Sequence, residues 1–159
     1  MKRILSVAAG LLLLAAAPAY AAQHVARFKD WAVSSYTQKG HRICYTFTQA
    51  LTERRSHGKC GVAVLVVTHA PPRHDRVVVS PCKQYGTGQT ALTMAVGTKH
   101  LGFHARGQYA YANASAAAIA AFRRGMKATI AAPAGHRDEA FSLRGFTAAY
   151  DDMRRQCVG

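Results

Sequence analysis

Acidic residues are scarce in this chain: 7 Asp and Glu stand against 21 Lys and Arg in 159 residues, a formal charge of +14. Few carboxylates means few candidates for paired acid/base catalysis. Asp138-Glu139 and Asp151-Asp152 are sequence neighbours, so their side chains diverge on a strand or a helix and neither makes a two-carboxylate site. No Gly-Lys-Ser/Thr ends a phosphate loop, and no G-x-S-x-G elbow presents a serine nucleophile. There is no C-x-x-C pair, and the gaps between the four cysteines, 15, 21 and 74 residues, match no structural zinc module. Internal repeats and low-complexity linkers are also missing, which at this length predicts one domain. Together these absences predict no enzyme, with no catalytic residues, no metal site and no cofactor.

Long apolar runs are missing as well. Residues 4–17 are rich in Leu and Ala but number only 14, short of the roughly 20 that span a bilayer. Lys2 and Arg3 precede the run, Pro18 breaks it, and Ala19-Tyr20-Ala21 offers small residues where a signal peptidase reads. This pattern predicts a secretory signal peptide at residues 1–21 and a single domain at 22–159. Removing 21 residues from 159 leaves 138, and losing Lys2 and Arg3 lowers the charge from +14 to +12. No later stretch is long and apolar enough to span a membrane. The expected address is periplasmic or extracellular, including the cell surface. There a nucleic-acid partner is not expected despite the charge; an anionic envelope or host component (polymer, lipid headgroup or acidic protein) is the better candidate.

What is present is a folding composition, half hydrophobic and 18% charged. Cys44, Cys60, Cys82 and Cys157 all follow the cleavage site, and an even number in an oxidising compartment predicts disulfides, with three pairings open. Strand patterns cover residues 27–37, 42–50, 61–69 and 76–80, then 92–96 and 101–103 around a Gly97-Thr98-Lys99-His100 turn. Further strands are expected at 108–112, 127–132 and 139–143. In the second of these, Ile43, Tyr45 and Phe47 point one way and Cys44, Thr46 and Thr48 the other. The aliphatic run in 61–69 suggests a central strand covered on both faces. Two helices are expected at about 115–124 and 146–156, each with two arginines in its last turn. The second carries Phe146, Ala149, Tyr150, Met153 and Cys157 on one stripe. This mainly β pattern of short strands predicts an antiparallel sandwich or barrel.

Gly86-Thr87-Gly88-Gln89-Thr90-Ala91 matches a dinucleotide fingerprint in letters, but a strand pattern follows it where a helix is required, so it reads as a turn. Among the eight histidines, His69 and His74 flank Pro71-Pro72, and His100 and His104 are about 13 Å apart along a strand. They read as solvated side chains, and a metal carrier is the lesser alternative. The remaining functional signal is basic: Arg54 and Arg55 with Lys59, Arg73 with Arg76, and Arg123 and Arg124 with Lys127. Such clusters are either a solvated surface or an electrostatic docking face for an anionic lipid, polysaccharide or acidic partner, weakened by salt.

The order of segments is similar to a known family. Phe28-Lys29-Asp30-Trp31-Ala32-Val33, Cys44-Tyr45, Val67-Thr68-His69-Ala70-Pro71, Phe141-Ser142-Leu143-Arg144-Gly145-Phe146-Thr147-Ala148-Ala149-Tyr150 and a terminal cysteine resemble the invasion-associated locus B family of exported bacterial proteins. The F-x-D-W opening and the S-L-x-G-F-T-A-A ending are the most specific pieces. The resemblance implies an immunoglobulin-like β-sandwich, periplasmic or surface-exposed, with no catalytic residues to carry over. It further implies a Cys44–Cys157 pair, leaving Cys60 and Cys82 for a second bridge. Closing a loop of 113 residues would contribute about 4–5 kcal/mol in the chain-entropy model, and the shorter loop about 3 kcal/mol.

Overall fold

The computed structural model describes residues 25–51, 61–70, 75–82, 84–85, 90–131 and 138–157. The expected signal peptide, Arg54, Arg55, Lys59, Cys60, Arg73, His74 and the Gly86–Gln89 turn lie outside these residues. The described part is mainly β: ten antiparallel strands and two helices. The strands are β1 (Ala26–Phe28), β2 (Trp31–Gln38), β3 (His41–Gln49), β4 (Val64–His69), β5 (Arg76–Ser80), β6 (Thr90–Val96), β7 (Lys99–Arg106), β8 (Tyr109–Ala112), β9 (Lys127–Ile130) and β10 (Glu139–Ser142). Helix α1 (Ser115–Phe122) links β8 to β9, and α2 (Phe146–Cys157) follows β10. No helix among the described residues is long and apolar enough to cross a membrane.

The strand order is β1-β2-β3-β4-β5-β8-β7-β6-β9-β10. Strands β6, β7 and β8 form a meander, and β9 returns through α1 to lie beside β6, a Greek-key connection. At the far end, β10 reaches back to the start of the sheet through an Ala50–Phe141 bridge. The sheet therefore folds over on itself as a β-sandwich-like domain. Leu65, Val67, Val77, Val79, Phe103, Ile130 and Phe141 fill its interior, all nearly solvent-free.

Strand β3 shows how the faces are assigned. Its inward side is the Cys44, Thr46, Thr48 set, and the aromatic side is only half-buried. Polar side chains can face inward because their hydroxyls have partners: Thr46 donates to the Ala32 carbonyl at 2.9 Å and Thr48 to the Asp30 carbonyl at 2.7 Å. Strand β4 is paired on both edges, yet its Val64, Val66 and Thr68 are only half-covered, so one face of this central strand stays open, contrary to the sequence pattern. The expected strand at 27–37 is two, because the chain turns at Lys29, whose φ is 54°, and pairs Phe28 with Trp31.

Helix α2 buries the five residues of the predicted stripe, with Arg154 and Arg155 in its last turn. Helix α1 is shorter than expected. It stops at Phe122, so Arg123 is its C-cap and Arg124 lies beyond it, neither in the last turn. Gly125 closes the end by donating to the Ala121 carbonyl at 2.9 Å.

The two segments that carry the family resemblance meet in space. Trp31 Nε1 donates to the Ser142 carbonyl at 2.9 Å, and Ser142 Oγ donates to Asp30 Oδ2 at 2.6 Å. The Trp31 and Phe146 rings pack edge to face with centroids 4.8 Å apart. Gly145 has φ +91°, and a Cβ there would collide with the Phe28 carbonyl oxygen. The opening and the ending thus form a clasp that seats the start of α2 on the first hairpin. A disulfide between Cys44 and Cys157, 5.9 Å apart at Cα, bolts the other end of α2 to β3.

Candidate functional site

Charge is distributed in a way that sequence order does not display. Inside the fold, carboxylates are fully engaged. Asp30 accepts from Ser142 in the clasp. Asp75 takes His69 Nδ1 at 2.5 Å, the Tyr150 hydroxyl, and Arg154 Nη1 at 3.4 Å. His69 is buried in this cluster and not solvated as the sequence suggested. Burial, followed by the hydrogen bond and charge of Asp75, pushes the Tyr150 phenol up from 10.0 to about 12, against the opposing pull of Arg154 and Arg123. Glu139 is buried too, accepting from the Cys82 backbone N–H at 3.1 Å and from the Tyr85 hydroxyl at 3.0 Å. Burial and the Glu139 charge raise the Tyr85 phenol as well. Asp151 and Asp152 diverge as expected from α2, to Arg123 at 2.5 Å and to Arg155 at 3.2 Å.

The cations fare differently. Of the predicted docking residues that are described, Arg123 is engaged internally: besides Asp151, its guanidinium sits 4.9 Å from the Tyr150 ring centroid. Arg124 and Lys127 instead line an open groove with Lys99, Gly97, Ala121 and Met126, with a volume of about 690 Å³. The β6–β7 turn and the α1–β9 connection bring them together: Val96 pairs with Lys99 on one side and with Ala128 on the other. Met126 at this rim is 69% exposed.

Arg76 lines a second open groove of about 770 Å³ with His104, Arg106, Tyr111, Ala112 and Ser115. It lies over the outer surface of β5, β8 and β7, where alternation turns Val77, Val79, Ala110, Phe103 and Ala105 inward. One row of register partners crosses this surface: Phe47, Val66, Val78, Tyr111 and His104. The His104 and Tyr111 rings stack with centroids 5.8 Å apart, and Tyr109 meets Tyr111 edge-on at 6.4 Å. His104 Nδ1 lies 2.7 Å from Asn113 Oδ1. Asn113 fits because Gly102 lacks a side chain; a Cβ there would stand 2.7 Å from its Nδ2.

Among the described residues, neither groove is lined by Asp or Glu. Among the described residues, the ion pairs engage His69, Arg123, Arg154 and Arg155, and none of the groove cations. Lys99 and Arg106 carry no signal as isolated letters. Alternation could have found Arg106, because the tight Gly107-Gln108 turn pairs it with Tyr109 and sets Tyr111 opposite His104 on one face. Cys82 is disulfide-bonded; Cys60, its expected partner, is outside the described residues. Among those residues no cluster of three or more His, Cys, Asp or Glu is placed to hold a metal.

Comparison with known proteins gives a fold and no closer kinship. No family model matches the chain, and no curated protein matches it. Among solved structures it is similar to invasion associated protein B from Bartonella henselae, with a TM-score of 0.64 over 84% of this chain and 96% of that one, at 13% identity. At that identity the relation is one of fold: this chain folds as invasion associated protein B does.

Proposed function

We propose that this is an exported, disulfide-bridged β-domain of the invasion-associated locus B type, and that it works by binding an anionic envelope or host component, without catalysis. One observation carries the reading. Both grooves are lined with Arg and Lys, and among the described residues no carboxylate lines either of them, while Asp75 and Asp151 are engaged elsewhere. Unpaired cations at a concave surface attract and retain negative ligands, with an affinity that falls as salt screens them. The fold likeness to invasion associated protein B and the Cys44–Cys157 bridge support the exported setting.

Retention of the mature protein on a polyanionic matrix, titrated from about 50 mM to about 500 mM NaCl, tests this. Elution should occur well inside that range, and earlier when Arg76 and Arg106, or Arg124 and Lys127, are changed to Gln. Retention that ignores salt, or an absence of retention at the lowest salt, overturns it.

A further inference from the structure

We propose that the groove over β5, β8 and β7 is a carbohydrate site for an acidic glycan, with Tyr111 and His104 as the stacking platform and Arg76 and Arg106 as clamps for its charged substituents. The proposal rests on the anion-binding reading and adds the ligand class and the residues.

The shape of the surface separates the kinds of anion. An acidic peptide docks most readily by adding a strand to an open sheet edge, but β8 is paired with both β5 and β7 and offers no edge. A membrane surface calls for apolar side chains that protrude into the acyl boundary. Here Val78, Tyr111 and His104 are half-buried. Half-buried aromatic side chains lining an open groove suit the C–H faces of a pyranose, which stack on aromatic surfaces as other apolar faces do. Neighbouring strands are about 4.8 Å apart, so the Val78–Tyr111–His104 row runs about 10 Å, the scale of a disaccharide. The same row continues through Val66 to Phe47, giving an extended chain a track across the sheet.

Polar groups complete the site. Arg76 and Arg106 are exposed on its two sides, and their guanidinium forks can hold a carboxylate or sulfate by paired hydrogen bonds. Asn113 and Ser115 stand beside the platform with groups suited to sugar hydroxyls.

Calorimetry with a polygalacturonate hexamer, its carboxyl-reduced neutral counterpart and phosphatidylglycerol vesicles tests the assignment. The acidic hexamer should bind, with the neutral counterpart at least about tenfold weaker. Tyr111→Ala, which leaves charge unchanged, should weaken the hexamer about tenfold, as should Arg76→Gln with Arg106→Gln. Arg27→Gln with Lys39→Gln, at exposed cations that line neither groove, should leave it unchanged, and circular dichroism should match the parent throughout. Hexamer binding indifferent to Tyr111→Ala, or vesicle binding with the same Tyr111 dependence, overturns the glycan assignment while the anion-binding reading stands. If neither hexamer nor vesicles bind at low salt, both fall.

Discussion

The clasp and the grooves handle polar groups in opposite ways. In the clasp Asp30, Trp31, Ser142 and Gly145 have each found a partner or a space that fits nothing larger. In the grooves Arg76, Arg106, Lys99, Arg124 and Lys127 are exposed, and no carboxylate among the described residues lines either groove. The most recognisable letters of the sequence therefore hold the fold together, and the residues available to a partner are inconspicuous. The clasp thus reports architecture and says little about what the grooves take up.

Substitutions sharpen this contrast. The largest loss is expected from replacing Cys44 and Cys157 together with Ala: about 4–5 kcal/mol of stability, from the long loop the bridge closes, read by urea unfolding. Gly145→Ala should follow at about 3 kcal/mol, since the residue would combine a strained positive φ with a collision at Phe28. Tolerance of Gly145→Ala would mean that the clasp is not a constraint.

A third effect comes from Tyr150. Its phenol titrates at about 12 when folded and near 10 when unfolded, so between those values the folded state holds the proton more tightly. The share of stability that Tyr150 contributes is full below pH 10 and is lost as pH rises toward 12. Tyr150→Phe should flatten part of that decline in unfolding measured at pH 9 and 11.5, leaving the share due to Tyr85. The smallest effect belongs to the grooves. Arg124→Gln with Lys127→Gln should change stability by no more than about 0.5 kcal/mol, while lowering the salt needed for elution from a polyanion.

Much of the fold is legible in the letters because alternation and helical stripes are local. The α2 stripe is read correctly to the residue, and nearly every strand is found with ends moved by a few positions. What local pattern cannot supply is which side of a strand is inside: Thr46 and Thr48 point inward only because backbone carbonyls of the first hairpin await them. Helix α1 ends sooner than its stripe suggests: Arg123 keeps helical φ and ψ as the C-cap and donates to the Ile119 carbonyl, and the chain departs after it, where Gly125 turns back to the Ala121 carbonyl. The site was half visible. Arg76, Arg124 and Lys127 stood out as basic letters, whereas Lys99, Arg106, His104 and Tyr111 join them only through strand pairing between distant segments.

Cys44 and Cys157 are 113 residues apart in the chain, and Asp30 and Ser142 are 112 apart. A polypeptide emerging amino end first from a ribosome or a translocation channel cannot make the first contact until α2 is out, nor the second until β10 is out. Completion of the domain is thus postponed until α2 has emerged, and a chain halted short of α2 exposes the apolar bed on which that helix would rest. Quality control acting on nascent or truncated copies therefore has a simple cue: the uncovered seat of the last helix.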